Sequence, residues 1–260
     1  MNKDRFFFFG FGQTARYLIR NLEQSKKKFT FSATNTKKTT FKTFGKKKFL
    51  SFKFKDNLYD KKLLKILSEA DYILISIPPQ KKRDLVLKIF SKFLKKSKFK
   101  KLIYLSATSV YGNHNGKWVN ENSKLKGNTK FGLGRKIVEK SWIKFRDLYK
   151  LDINILRVSG IYSKESNVLK KISKKSIFVK EKKYFSRIRI EDLAQIIKKM
   201  FYSQKSSLIL NASDDKPATN IEVANYAAKL LKIKNLRPMP IANFKNKMIK
   251  EFYKDSKKVS

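Results

Sequence analysis

The stretch "RFFFFGFGQTARYLIRNL", Arg5 to Leu22, runs from four consecutive phenylalanines into glycines and then into a helical pattern of Leu and Ile. Two readings compete for it: a membrane-bound leader, or the first strand, turn and helix of a nucleotide-binding fold. Even extended through Phe11, the apolar run falls well short of the roughly 18 to 20 residues that a membrane helix requires. Gln13, Thr14, Arg16 and Arg20 follow at once, and no small-residue cleavage site intervenes. A buried strand feeding a glycine turn is the reading that fits.

Gly10, Gly12 and Ala15 spell G-x-G-x-x-A between that strand and the helix. The first glycine permits a tight turn, the second lets backbone approach a pyrophosphate, and the small third residue lets helix and strand pack closely. Gln13 and Thr14 begin the helix, whose free N–H groups favour an anion. The expected ligand is a nicotinamide dinucleotide. An acidic residue closing the second strand would select NAD through the ribose 2′-OH. Here that strand ends in "SATNTKK", Ser32 to Lys38, without a carboxylate. The expectation is therefore NADP, with NAD still open, held by Gly10, Gly12, Gln13, Thr14 and Ala15. Thr34 and Asn35 at the second strand end, and Ile77 and Pro78 at the end of the fourth, complete the expected cofactor site.

The chain of 260 residues is long enough for one large α/β domain or a nucleotide domain with an appended lobe. It has no Cys, which excludes disulfides, thiolate metal sites and cysteine nucleophiles and fits a reducing cytoplasm. The one histidine, His114, argues against a histidine-built metal site. The 63 basic and 20 acidic residues give a net charge of +43, which on its face suggests a polyanion partner. Only ten of the basic residues are Arg, the side chain favoured for bidentate phosphate and base contacts, and Lys is scattered over every segment. Lys, Phe, Ile and Asn are abundant together, as in the products of AT-rich genomes. No specific nucleic-acid partner and no membrane is expected. A small-molecule substrate is, with the chain a monomer or homodimer.

Along the chain, apolar runs alternate with helix-like periodicity, which predicts a Rossmann-like, doubly wound parallel sheet. Expected strands are Arg5–Phe9, Phe29–Thr34, Phe49–Phe54, Tyr72–Ile77, Lys101–Ser106, Ile153–Val158 and Leu208–Asn211. Expected helices lie near Thr14–Gln24, Asp60–Ser68, Lys82–Leu94, Gly132–Tyr149, Glu191–Tyr202 and Asn220–Leu231. Residues 1–158 form the expected dinucleotide domain, and 159–260 a small substrate lobe with elements returning to the sheet. The boundary is soft, and Asn167–Arg189 reads as an insertion.

"YLSATSVYGNHNGKWVNE", Tyr104 to Glu121, resembles the fifth strand and following loop of extended short-chain dehydrogenase/reductases, the NAD-dependent epimerase/dehydratase group. "LRVSGIY" (Leu156–Tyr162), "SRIRIEDLAQ" (Ser186–Gln195) and "LNASDDKPATNIEVANYAA" (Leu210–Ala228) extend the resemblance in the right order over nearly the whole chain. The resemblance implies an oxidoreductase or epimerase acting on a small hydroxylated or nucleotide-sugar-like substrate. In that family a Ser or Thr and a Tyr-x-x-x-Lys carry the proton chemistry.

Here the family's positions hold Ala107, Phe131 and Arg135, while the expected Glu139 is kept. Neither Ala107 nor Phe131 transfers a proton. Such a pattern looks like an atypical branch of the family without the usual Tyr. Arg135 retains the capacity to bind ribose or phosphate, though it is not interchangeable with Lys. Substitute catalysts are Tyr111, which either faces the cofactor or packs, and Thr108, with Ser109 beside it. His114 reads as an exposed loop residue before it reads as an acid/base. The alternative to an enzyme is a non-catalytic NADP(H)-binding sensor.

Overall fold

The computed structural model describes residues 3–25, 27–80, 82–175, 177–234 and 236–260. Strands in chain order are β1 (Asp4–Phe9), β2 (Phe29–Asn35), β3 (Thr40–Phe44), β4 (Lys47–Lys55), β5 (Leu58–Tyr59), β6 (Tyr72–Ile75), β7 (Lys101–Ala107), β8 (Trp118–Val119) and β9 (Ile153–Val158). The later ones are β10 (Gly160–Tyr162), β11 (Ile177–Val179), β12 (Tyr184–Phe185), β13 (Arg187–Arg189), β14 (Ile209–Ala212), β15 (Ala218–Thr219), β16 (Arg237–Met239) and β17 (Lys258–Val259). Helices are α1 (Gln13–Gln24), α2 (Lys62–Ser68), α3 (Leu85–Leu94), α4 (Lys130–Tyr149), α5 (Val168–Lys175), α6 (Ile190–Tyr202), α7 (Asn220–Leu230) and α8 (Lys247–Phe252).

Two compact units interleave along the chain. The first comprises Met1–Ser106, Ile137–Leu156 and Ile190–Leu210; the second comprises Ala107–Lys136, Arg157–Arg189 and Asn211–Ser260. The main sheet has the order β14-β9-β7-β6-β1-β2-β4-β3, with β5 attached to β4. β1 pairs in parallel with β2 and β6, β2 with β4, and β6 with β7. Outward growth from β1 reverses at β6, so the carboxyl ends of β1 and β6 flank the point where such sheets leave a ligand crevice.

The phenylalanine run is buried on both faces, as a central parallel strand requires. Phe6, Phe7, Phe8 and Phe9 are each at most 2% exposed. Phe7 and Phe9 join Ile73, Ile75, Phe90 and Trp142 in one core cluster. Phe6 points to the other face, with its ring 5.6 Å from that of Phe201 on α6, the helix that packs against α1.

Local chemistry adjusts several expected boundaries. The helix expected from Asp60 starts at Lys62, where the Asp60 carboxylate accepts the Lys62 N–H at 2.9 Å. The next starts at Leu85, because Asp84 is its N-cap and accepts from the Leu87 N–H at 2.8 Å. The strand expected to reach Ile77 stops at Ile75.

A larger difference lies between the second and third expected strands. "TFKTFGKKKF" folds as a hairpin, β3 antiparallel to β4 with Phe44 opposite Lys47. Gly45 turns it at φ +57°, the Gly-X pattern favoured in two-residue hairpin loops.

In the second unit, short ladders join β10 to β13, β11 to β16, β12 to β15 and β17 to β8. The expected insertion Asn167–Arg189 contributes α5, β11, β12 and β13, its residue 176 lying outside the described residues. Ile172 of α5 packs with Ala224 and Ala227 of α7 in a small core. Helix α7 is secured by a capping box: the Thr219 hydroxyl accepts the Glu222 N–H, and the Glu222 carboxylate accepts the Thr219 N–H. Among the described residues, no helix is long and apolar enough to cross a membrane.

Candidate functional site

The glycine turn of the first unit is built by three strand ends. Gly10 adopts φ +92°, and its N–H donates to the Thr34 hydroxyl at 2.9 Å. The Ser76 N–H and hydroxyl both donate to the Phe9 carbonyl, at 3.0 and 3.1 Å. A Cβ on Gly10 would stand 2.9 Å from the Ser76 hydroxyl and 3.4 Å from Ile77, and the positive φ itself favours glycine at this turn.

Gly12 differs in kind. Its backbone is extended, it is exposed, and a Cβ placed on it would meet no heavy atom within 4 Å. Packing therefore does not demand glycine there; open space in front of its backbone remains. Gly12 is also the N-cap of α1 and, as a glycine, brings no side chain of its own to cap the helix. The first turn of α1 thus presents backbone N–H groups and the positive end of the helix dipole toward solvent. Ala15 is fully buried and Thr14 nearly so, which leaves Gly12 and the partly exposed Gln13 as the outward face of the motif. This arrangement suits a dinucleotide pyrophosphate.

Thr34 and Asn35 stand at the end of β2 as expected, but their side chains have internal partners. The Thr34 hydroxyl supports Gly10. The Asn35 amide donates to the Ser51 hydroxyl at 2.7 Å, and its carbonyl oxygen accepts the Lys37 N–H at 2.6 Å. Their role is to shape the strand end; the exposed groups there are Thr36, Lys37 and Lys38. Ile77 is half-buried beside Gly10, while Pro78 is exposed.

In the same unit, Glu139 is fully buried and accepts from the Ser106 hydroxyl at 2.7 Å. This ties α4 to the end of β7.

In the second unit, the "ATSVYG" loop forms a 3₁₀ turn over Thr108–Tyr111. Tyr111 is fully buried. Its hydroxyl donates to the Asn211 Oδ1 at 2.8 Å and accepts from the Arg157 Nη1 at 2.9 Å. Arg157, only 3% exposed, also donates to the Glu121 carbonyl at 3.0 Å and sits 5.1 Å from the Tyr111 ring centre. The Asn211 N–H donates to the Glu121 carboxylate at 2.6 Å, and its amide donates to the Ser260 carbonyl at 2.8 Å. Burial pushes the Tyr111 phenol above its ordinary value, against the opposing pull of Arg157 and Asn211. Of the two roles open to Tyr111, its surroundings are those of a packed, hydrogen-bonded residue.

Thr108 and Ser109 are half-exposed, as is Ala107, and Phe131 is 47% exposed. Arg135 is half-buried on the second turn of α4. His114 is half-buried, with Nε2 3.1 Å from the Lys124 carbonyl and its ring edge-on to Tyr111.

Sequence reasoning missed Arg157, Glu121 and Asn211 as a group: each lies in one of three separate stretches that carry the family resemblance, and they meet only through the fold. It also missed the glycine contacts that hold the loop. Gly112 has φ +67°, and a Cβ there would lie 2.5 Å from the Lys126 carbonyl oxygen; one on Gly132 would lie 2.6 Å from that of Ser109. The glycine after Phe131 is thus explained by close backbone approach.

Replacing Tyr111 with Phe strands the Arg157 and Asn211 groups it pairs. The expected cost is about 1–3 kcal/mol, a melting-temperature fall on the order of 2 to 10 °C, measured by calorimetry. An unchanged melting temperature would contradict the packed role.

Neither a protein-family model nor a curated protein sequence matches the chain. Solved structures do. A functionally unknown conserved protein from Silicibacter pomeroyi DSS superposes with a TM-score of 0.83 at 24% identity, over 99% of this chain and 89% of that one. The UDP-N-acetylglucosamine 4-epimerase from Methanobrevibacter ruminantium M1, in complex with UDP-N-acetylmuramic acid, gives 0.74 at 16% identity, over 92% and 86%. The UDP-glucuronic acid 4-epimerase from Bacillus cereus, in complex with NAD, gives 0.74 at 14% identity, over 98% and 89%. The chain shares the Rossmann-like fold of these sugar-nucleotide epimerases.

Proposed function

We propose that the chain binds a nicotinamide dinucleotide at the Gly10–Ala15 turn and acts as an epimerase- or dehydratase-like oxidoreductase on a small hydroxylated or nucleotide-sugar-like substrate. The observation that carries this reading is the open face of Gly12 at the start of α1, at the point where the strand order reverses. Gly10 sets the turn, Gly12 and Gln13 receive the pyrophosphate, and Ile77 and Pro78 border the adjoining strand end. When bound, the cofactor supplies hydride transfer at its nicotinamide ring.

The proton has to come from a group other than the family's Tyr, on this chain or through an ordered water. Phe131 and Ala107 have none to give. Thr108 is the hydroxyl that combines partial exposure with a place directly after β7, and it is proposed to hold or relay the proton. Tyr111 is the second candidate and would have to give up its bond to Asn211 to donate. Arg135, permanently charged, is proposed to hold ribose or phosphate.

NADP is the proposed cofactor, with NAD the alternative. The exposed end of β2 offers Thr36, Lys37 and Lys38 and no carboxylate. Competitive fluorescence titration is expected to show tighter binding of NADPH than NADH. The double variant Lys37→Glu/Lys38→Glu is expected to narrow or reverse that preference, and tighter NADH binding by the unaltered protein overturns it.

The buried Tyr111 hydroxyl gives specific support to a second reading, a cofactor-binding sensor that catalyses nothing. A screen of nucleotide sugars and small carbonyl compounds with NADPH separates the two. Turnover lowered about 10²- to 10⁴-fold by Thr108→Val supports the enzyme and its proton route, and silence across the screen supports the sensor.

A further inference from the structure

Helix α1 of the first unit carries two cations, Arg16 and Arg20, and both are Arg in a chain whose basic residues are mostly Lys. Arg16 is exposed, and its guanidinium carbon stands 5.7 Å from the centre of the Phe11 ring. Among the described residues its guanidinium meets no hydrogen-bond acceptor and no carboxylate. Those of Arg5, Arg146, Arg157 and Arg187 each donate to one. An Arg stacked on an aromatic face keeps its N–H donors available to a further partner.

Phe11 lies between Gly10 and Gly12, so the turn itself fixes where its ring stands. The ring stacks on Phe31 of β2, with centres 5.6 Å apart and an interplanar angle of 15°. The ring centres of Phe44 on β3 and Phe49 on β4 lie 5.4 and 4.8 Å from it. Phe31 is three residues before Thr34, whose hydroxyl accepts the Gly10 N–H. The aromatic stack therefore runs from the glycine turn toward the end of β2, and it holds Arg16 on that side of the turn. Helix geometry works the same way, because side chains tilt toward the helix N-terminus and Arg16 reaches back over the turn that begins at Gly12. The Arg16 N–H donates to the Gly12 carbonyl at 3.1 Å.

We propose that Arg16, seated on Phe11, receives the 2′-phosphate of the dinucleotide's adenosine ribose and so sets the preference for NADP over NAD; this rests on the reading of the glycine turn as the cofactor site. In dinucleotide folds of this kind the 2′ position of that ribose lies by the end of β2. There the side chains of Thr34 and Asn35 are engaged in internal bonds, and no carboxylate stands to repel a phosphate. A guanidinium offers two parallel donors to two oxygens of one phosphate, which the point charges of Lys37 and Lys38 do not. Arg20 does not share the position. One turn further along α1, about 6 Å from Arg16, its guanidinium stands over Tyr17 and Phe44. A packing role for Arg16 has a different signature, a lower melting temperature with all nucleotides affected alike.

Isothermal titration of the full chain with NADPH, NADH, adenosine 2′,5′-bisphosphate and 5′-AMP tests the assignment, since each pair differs only in the 2′-phosphate. Arg16→Gln keeps a good helix former and removes the charge. It is expected to weaken NADPH and the bisphosphate by at least about tenfold, and to leave NADH and 5′-AMP within about twofold of the unaltered protein. Arg16→Lys should recover part of the loss, and Arg20→Gln should leave all four affinities as they were. Melting curves of the three variants check that the fold is kept. The proposal is overturned if Arg16→Gln binds NADPH as the unaltered protein does, if it weakens NADPH and NADH alike, or if Arg20→Gln reproduces its effect. In those three cases the unaltered protein still binds the cofactor, and the reading of the glycine turn stands. That reading fails, and Arg16 with it, if the unaltered protein binds neither dinucleotide or if Gly12→Val binds both undiminished.

Discussion

Gly12→Val is expected to weaken binding of NADPH by at least about 100-fold, or roughly 2.7 kcal/mol, while leaving the protein folded. The two halves of this expectation come from the same measurement of space. A Cβ at Gly12 meets nothing within 4 Å, so the valine side chain has room in the folded chain. The room it takes is the room through which a pyrophosphate would approach the N-terminus of α1. Melting should shift only by the small amount that a poorer N-cap costs, about 1 kcal/mol. Isothermal titration of the variant, with its melting curve as control, gives both numbers. Unchanged affinity would sink the assignment of the glycine turn as the cofactor site.

Gly112→Ala is expected to do the reverse, lowering stability severely at a position with no proposed ligand contact. Gly112 combines φ +67° with ψ −148°, a region that residues with a side chain essentially do not enter. The added methyl would also lie 2.5 Å from the Lys126 carbonyl oxygen and 2.8 Å from the Gly127 nitrogen. Both are backbone atoms and cannot swing aside as a side-chain tip would. Strain of about 1–3 kcal/mol and overpacking of a similar size together predict a melting temperature lower by roughly 4 to 24 °C. Differential scanning calorimetry decides it, and a loss of less than about 1 kcal/mol would show that the loop is held by something other than this close contact.

The contrast between the two glycines shows what the sequence carries. The strand, turn and helix around G-x-G-x-x-A are legible because small residues stand at fixed spacing between a buried apolar run and a helical pattern. The central parallel strands were legible for the same reason: Phe6 to Phe9 and Ile73 to Ile75 are apolar at every position, as burial on both faces demands. The β3–β4 hairpin is harder to read: "TFKTFGK" alternates and carries a Gly-X turn, but a doubly wound pattern has no place for a hairpin between its parallel strands. Thr34 and Asn35 were placed correctly in the chain. What their side chains bond to depends on Gly10 and Ser51, which lie far away in sequence. The same limit hid the Tyr111 environment: Arg157, Glu121 and Asn211 come from three separate segments, and nothing local links them.

The alternation of the two units along the chain also bears on how the protein is made. Helix α1 packs against α6, and Phe6 of the central strand shares that face with Phe201, yet α6 follows α1 by about 170 residues. At about 5–20 residues per second of synthesis, one side of the phenylalanine strand waits roughly 10 to 35 s for its cover. During that interval a run of four aromatic, uncharged, strand-forming residues stands open to other nascent chains. Like charges on the lysines that flank many apolar segments would repel one such chain from another, an effect of charge that needs no ligand.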